Sequence, residues 1–339
     1  TPLQALFFGH VRELSQLASY TPAIANFVNN LPLTRALLAK LVNIDTRRSM
    51  PRFARSLARE FNAAHRRIGP ADHHGHTAAA PRPVVALFGD CFTMFNDPHI
   101  GRASRALFER LGYDVRLADA GCCGRSLIST GLLPTAITHI EHTLERLTPF
   151  IVDRNVHAIL VHEPSCLSAM LDDWRQLKLA VPRALLDGLA AKAMLPEQFF
   201  ASRSHPGQDL IVQARAHAAT SKDAVIFHGH CHQKALWGPD SSAAALRMVA
   251  GDRVKVLDSG CCGLAGSFGY TTDRYDLSMK IGERVLLPAA RAAAPGDIIV
   301  APGTSCRHQI HDGAARHALH PVEFLLNSMP PATPAPPSL

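Results

Sequence analysis

The eight cysteines of this 339-residue chain fall into two matching sets, and their spacing is the strongest chemical signal it carries. The first set is Cys91, Cys122, Cys123 and Cys166; the second is Cys231, Cys261, Cys262 and Cys306. Each adjacent pair is followed by a glycine, Gly124 or Gly263. Every member of the second set lies 139 or 140 residues after its counterpart, and no cysteine is left over. Such regularity marks an internal duplication whose repeated feature is a thiol tetrad.

Several chemistries use clustered thiols. Disulfides suit small secreted domains, whereas a chain of this length buries a core of its own, and adjacent cysteines bridge each other only with strain. Buried free thiols account poorly for two superimposable tetrads. Four thiolates around one tetrahedral zinc ion form a structural site with no redox role, although the usual short Cys-x-x-Cys knuckle is absent. A thiol-based reductase, cycling one adjacent pair covalently, requires lowered thiol pKa values. An iron–sulfur cluster accounts for most of the pattern: it takes four Cys thiolates, and its size suits ligands gathered from three separate chain segments. Such a cluster is anionic. Gly124 and Gly263 are expected to stand where helices begin, offering N–H groups to the sulfurs at close approach.

The flanking runs supply the scaffold. Val84 to Phe88 before Cys91 parallels Ala224 to Phe227 before Cys231; Val115 to Ala118 parallels Val254 to Leu257; Ala158 to Val161 parallels Ile298 to Val300. These Val-, Ile- and Leu-rich runs predict buried parallel strands, with helices over 100–111 and 136–152 between them. The expected fold class is α/β: two tandem Rossmann-like βαβ repeats with parallel sheets, preceded by a helical N-terminal segment. Ligands of such sheets bind beyond the carboxyl ends of the strands, where all eight cysteines are predicted to lie.

His228, His230 and His232 bracket Cys231, and His162 stands near Cys166. On chemistry alone each could ligate a metal or carry a proton, but the favoured reading is a hydrogen-bonding neighbour of sulfur or backbone, because four thiolates already complete each tetrad; His232 is the first to test. The cluster His73-His74-Gly75-His76 lies in a Pro/Ala-rich linker and is read as solvated.

The net charge of +7 comes partly from Arg47, Arg48, Arg52, Arg55, Arg59, Arg66 and Arg67. They are read as a solvated helix face or a docking surface for an acidic partner or an anionic membrane. A nucleic-acid partner is not expected, since no aromatic platforms or recognition motifs accompany them. No uninterrupted apolar stretch reaches eighteen residues, so no membrane-spanning helix is expected. Thr1-Pro2-Leu3 does not open a signal peptide and reads as the start of a trimmed form or of a piece of a longer polypeptide.

The duplicated pattern, with Gly-Cys-Cys-Gly at 121–124 and 260–263, resembles the cysteine-rich (CCG) family of the heterodisulfide reductases and of the glycolate oxidase iron–sulfur protein. The stretches His230 to Ala235 and Asp258 to Gly266 look most like the C-terminal iron–sulfur part of FAD-linked D-lactate or D-2-hydroxyglutarate dehydrogenases. The likeness covers about residues 84 to 326. It implies an oxidoreductase component that relays electrons from reduced FAD to a respiratory acceptor, quinone or cytochrome, on the cytoplasmic side and at the inner face of the membrane. It further implies at most one [4Fe-4S] cluster per repeat, with zinc as the alternative in one of them. The family's fullest motif ends in Cys-x-x-Cys, but Ala169 and Gln309 stand at the last position here, which disfavours five-thiolate binding. No ferredoxin motif or dinucleotide fingerprint is found. FAD and a ferredoxin-like module are therefore expected in a partner or in an upstream region.

Along the chain, residues 1–68 are expected to form a helical docking segment, with Leu37, Leu38, Leu41 and Val42 packing on a neighbouring module. A linker (69–83) follows, then the first repeat with a helical bridge (84–222), the second repeat (223–328) and a disordered tail (329–339).

Overall fold

The computed structural model describes residues 2–61 and 82–331. The His73–His76 cluster, Arg66, Arg67, most of the expected linker and the end of the tail lie outside these residues.

Two four-stranded, wholly parallel sheets carry the two repeats. The first comprises β1 (Val84–Phe88), β2 (Asp114–Ala118), β3 (Val156–Leu160) and β4 (Ala193–Met194), in the order β2-β1-β3-β4. The second comprises β5 (Val225–Phe227), β6 (Val254–Val256), β7 (Ile298–Val300) and β8 (Ala318–Leu319), in the equivalent order β6-β5-β7-β8. β1, β5 and β7 are apolar throughout because both faces are covered, and β3 departs from this only at the exposed His157. Helices Pro98–Arg110 and Leu133–Val152 form where their apolar spacing predicts them. The fourth strands are only two residues long, too short to leave a periodic signal, and the sequence led to three strands per repeat.

Alternation along β1 shows how the repeats are joined. Val84, Ala86 and Phe88 face a core shared with Ile140, Leu144 and Leu147, while Val85 and Leu87 face the opposite side. That second side continues without a break into Val225, Phe227, Leu246 and Val249 of the other repeat. One apolar core therefore lies between the two sheets, and the carboxyl ends of their strands are brought into the same region.

The N-terminal segment forms α1 (Leu3–Gly9), α2 (Val11–Ala18), α3 (Pro22–Asn29) and α4 (Pro32–Val42). α1 and α2 pack on the first repeat, against helices Arg125–Ser129 and Cys91–Phe95. Leu17, Ile24, Phe27, Leu33, Leu37 and Leu41 are all exposed within this chain, whereas Val42 is buried. No helix among the described residues is long and apolar enough to cross a membrane. The basic run is not uniformly solvated. Arg48 is fully buried, donating to the Gly269 carbonyl, Gln309 Oε1 and Ser278 Oγ, each at 2.7 Å. A guanidinium has enough donors to satisfy three acceptors at once, and here it ties the N-terminal segment to the second repeat.

Candidate metal centres

Each cysteine sits at a carboxyl edge because a strand ends just before it. β1 ends at Phe88, Asp90 caps the next helix by accepting from the N–H groups of Phe92 and Thr93, and Cys91 is that helix's first residue. Cys166 lies in the first turn of helix Pro164–Ser168 after β3. Cys122 and Cys123 occupy the loop after β2, where Thr143 Oγ1 and Trp174 Nε1 donate to their carbonyls. Cys231, Cys261, Cys262 and Cys306 take the corresponding places in the second repeat.

The structure brings both sets together. Cys91 and Cys122 sulfurs are 3.7 Å apart, and those of Cys123 and Cys166 are 2.9 Å apart. In the second set Cys231 is paired with Cys261, and Cys262 with both Cys261 and Cys306, reproducing the same chain of contacts. All eight are free thiols. The first four are buried, while Cys231 and Cys261 are partly open to solvent.

Gathering thiols away from water makes their negative charge expensive unless something positive shares the site. The hydrogen bond with Cys122 and burial push Cys91 well up, and the contact with Cys123 takes Cys122 to about 12. The second tetrad polarises instead. Hydrogen bonds from Cys231 and Cys262 hold Cys261 down at about 2, and Cys262, His228 and His230 together lower Cys306. Thiols that share protons in this way are ready to bind a cation in their place. The donor set, four free sulfurs joined by successive contacts, is of the kind that ligates a metal as thiolates.

The glycines behave alike at the sulfur and differently beyond it. Gly124 N–H donates to Cys122 Sγ at 3.4 Å, and Gly263 N–H to Cys261 Sγ at 3.3 Å. Both have positive φ, +77° and +95°. Gly124 does cap a helix, Arg125–Ser129. Gly263 does not, contrary to the sequence expectation: Ala265 and Gly266 also take left-handed conformations, which turn the chain away before a helix can start.

The histidines serve the backbone and the repeat interface. His230 Nδ1 accepts the His232 N–H and caps the Cys231 helix, as Asp90 does for Cys91. His228 joins Ser259 at 2.7 Å and lies beside Cys306. His232 stacks obliquely on His230, with no partner for its Nδ1; burial, His230 and Arg125 lower it to about 4. Ligand atoms of His230, Cys231 and His232 all lie within 4.8 Å of one another. His162, also buried, has neither ring nitrogen partnered, and burial takes it down to about 3.

Several residues at the tetrads had escaped sequence reading. Asp90 and Glu163 are helix caps, and the Asp-Cys and Glu-Pro dipeptides were local signals for them. Arg12 is another: its guanidinium donates to the Gly89 carbonyl and to Asp119 Oδ1 beside the first tetrad, and nothing in the sequence links α2 to a cysteine. Gln309, at the position of the family's further cysteine, turns to Arg48 and the Ser278 carbonyl.

The cysteine-rich domain family matches the chain twice, over residues 85–171 and 225–311, each match containing one tetrad. Over 96% of its length the chain is 22% identical to one component of the anaerobic glycerol-3-phosphate dehydrogenase of Escherichia coli K12, covering 77% of that protein. It is 23% identical to the D-2-hydroxyglutarate dehydrogenase of the same organism, but spans only 30% of that longer chain. Lactate utilization protein A of Bacillus cytotoxicus is 24% identical over 54% of this chain and 73% of its own. Two matches that together span just over half of the chain, two equivalent sheets and two equivalent thiol tetrads place the chain in the cysteine-rich domain family.

Proposed function

We propose that the chain is the iron–sulfur electron-transfer module of a flavin-linked 2-hydroxy-acid dehydrogenase, relaying electrons from reduced FAD to a respiratory acceptor. The observation that carries this reading is the convergence of Cys91, Cys122, Cys123 and Cys166, repeated by Cys231, Cys261, Cys262 and Cys306, at the carboxyl edges of sheets that share one core. Its relatives are named for glycerol-3-phosphate and D-2-hydroxyglutarate dehydrogenation and for lactate utilization, which supports a partner bearing the flavin. A [4Fe-4S] cluster held by either tetrad would take up and pass on single electrons. The chain's own residues fix the thiolates on strand ends, donate Gly124 and Gly263 N–H groups to sulfur, and keep water from the first tetrad. The exposed apolar side chains of α2 to α4 are assigned to docking on the flavin-bearing or ferredoxin-like partner, at the inner face of the cytoplasmic membrane.

One observation favours zinc as a second reading for a single tetrad. Thiolates held about 2.3 Å from one zinc ion stand roughly 3.8 Å apart; the Cys91–Cys122 separation is 3.7 Å, while Cys123 and Cys166, 2.9 Å apart, would have to spread to share that ion. A cubane cluster is larger and would need the loops to spread. Anaerobic purification, iron and zinc analysis, and EPR of the reduced chain separate the two. Reducible iron near four atoms per tetrad is the expected result; stoichiometric zinc with no iron defeats electron relay.

A further inference from the structure

The duplication aligns Gly89 with Gly229, Met94 with Lys234, and Asp119 with Asp258, all at the edge of a tetrad. In the second repeat the side chain of Lys234 passes over Gly229, whose added Cβ would lie 3.7 Å from its Cγ and Cε. Lys234 Nζ then donates to the carbonyls of Ser259 and Gly260, immediately before Cys261. In the first repeat the residue over the equivalent glycine is Met94, its sulfur 2.8 Å from where a Gly89 Cβ would stand. The side chain at this position is uncharged, yet the edge still has its cation. Arg12 arrives from α2, donating at 2.9 Å both to the Gly89 carbonyl and to Asp119 Oδ1.

The delivery is built into the packing. Gly9, at the end of α1, sits where a Cβ would come within 2.6 Å of Leu132 and 3.2 Å of Leu127, so α1 lies tightly on the loop and helix that follow Cys123. Arg12 is buried and stacks over Phe95, in the helix that begins with Cys91. Burial opposes both charges, and what offsets it comes from matching sulfurs and a matching aspartate: Cys91, Asp119 and Cys122 act on Arg12, while Cys306, Cys231, Cys261 and Asp258 act on Lys234.

We propose that Arg12 and Lys234 are matched charge-compensating residues, one for each tetrad, and that α2 is therefore a component of the first metal centre. This rests on the reading that the tetrads hold thiolate-ligated metal. A centre with four thiolates is anionic, and a fixed cation at short range in a buried site stabilises it and favours its reduced form. The first centre thus takes its cation from a helix outside its own repeat, whereas the second takes its cation from within its own.

The test uses the full chain, loaded anaerobically with iron and sulfide or with zinc. Metal loss to a chelator and, for iron, the EPR-monitored midpoint potential of each centre are followed in Arg12→Gln, Lys234→Met and Met94→Lys. Arg12→Gln is expected to speed metal loss from one centre about tenfold and shift its one-electron equilibrium negative by about tenfold, ~59 mV, leaving the other unmoved. Lys234→Met moves the other centre. Met94→Lys places the second repeat's solution in the first, shifting the first centre positive and restoring it when combined with Arg12→Gln. Unchanged loss and potential in Arg12→Gln, equal movement of both centres, or no shift in Met94→Lys overturns the inference while leaving the metal reading intact. An unsubstituted first tetrad that holds neither metal overturns both.

Discussion

Glu163, in the first repeat, accepts a 2.8 Å hydrogen bond from the backbone N–H of Thr304, in the second. Its other carboxylate oxygen accepts from Ser165 N–H and Oγ at 3.2 and 2.9 Å. One buried side chain thus caps the helix carrying Cys166 and the helix carrying Cys306. The duplication explains why it must. The counterpart of Glu163 is Gly303, which has no side chain with which to cap its own helix. Gly303 is needed elsewhere, since a Cβ there would lie 2.2 Å from the His230 ring and 3.3 Å from Cys306 Sγ. His230 in turn stands 3.8 Å from Glu163, and burial of the carboxylate is outweighed by His230 and these N–H donors, so its pKa is lowered.

Glu163→Ala should accordingly disturb both centres at once. It leaves two buried N–H groups without acceptors and removes a helix cap, at a cost of about 2–4 kcal/mol. Urea unfolding is expected to show that loss, and metal analysis a lowered content in both tetrads. Glu163→Gln keeps one acceptor oxygen and should lose less. Metal loss confined to the Cys166 tetrad would show that the link to Thr304 carries no weight.

The two glycines at the adjacent cysteines separate conformational strain from collision. Both substitutions to Ala meet positive φ, worth about 1–2 kcal/mol. At Gly124 the new Cβ meets the end of Ile140 at 2.9 Å, a side chain that can move. At Gly263 it meets the backbone carbonyl of Ser278 at 2.1 Å, in a helix tied to Gln309 and Arg48. Gly263→Ala is therefore expected to empty the second tetrad of metal, and Gly124→Ala to weaken the first by a smaller factor. Equal losses would mean that φ alone decides.

Strand, helix and tetrad were legible because each rests on a local rule: apolar runs for β1, β3, β5 and β7, helical spacing for 136–152, and repeated spacing for the cysteines. What was not legible depends on residues meeting across the interface. Arg12 lies 79 residues before Cys91, and no periodicity marks the approach of α2 to that helix. Arg48 looked like one charge in a basic run, and only the converging acceptors at 269, 278 and 309 bury it. Gly263 matched Gly124 in motif but not in helix, since the following Ala265-Gly266 turn belongs to one repeat only.

Glu197 offers a pH test at a carboxyl outside the two thiol tetrads, linked through Ser242 to Gln233 on the Cys231 helix. It is fully buried on helix Pro196–Ser202; Ser242 Oγ donates to its Oε1 at 2.9 Å, and Gln233 Nε2 donates to Ser242 at 2.7 Å. Glu197 Oε2 has no partner, and burial raises the carboxyl from 4.5 to about 7. Between those values the folded chain holds a proton that the unfolded chain has released, so stability falls as pH rises from 4.5 to 7 and the full penalty persists above 7. The shift corresponds to at most about 3 kcal/mol. Glu197→Gln cannot ionise, and should flatten this part of the profile while gaining about 1–3 kcal/mol over the unsubstituted chain at pH 8 and little at pH 5. Urea unfolding of both proteins from pH 5 to 8 measures it. Parallel profiles would show that Glu197 stays ionised throughout, in which case the Ser242–Gln233 chain must be stabilising a buried carboxylate that its geometry leaves half unsatisfied.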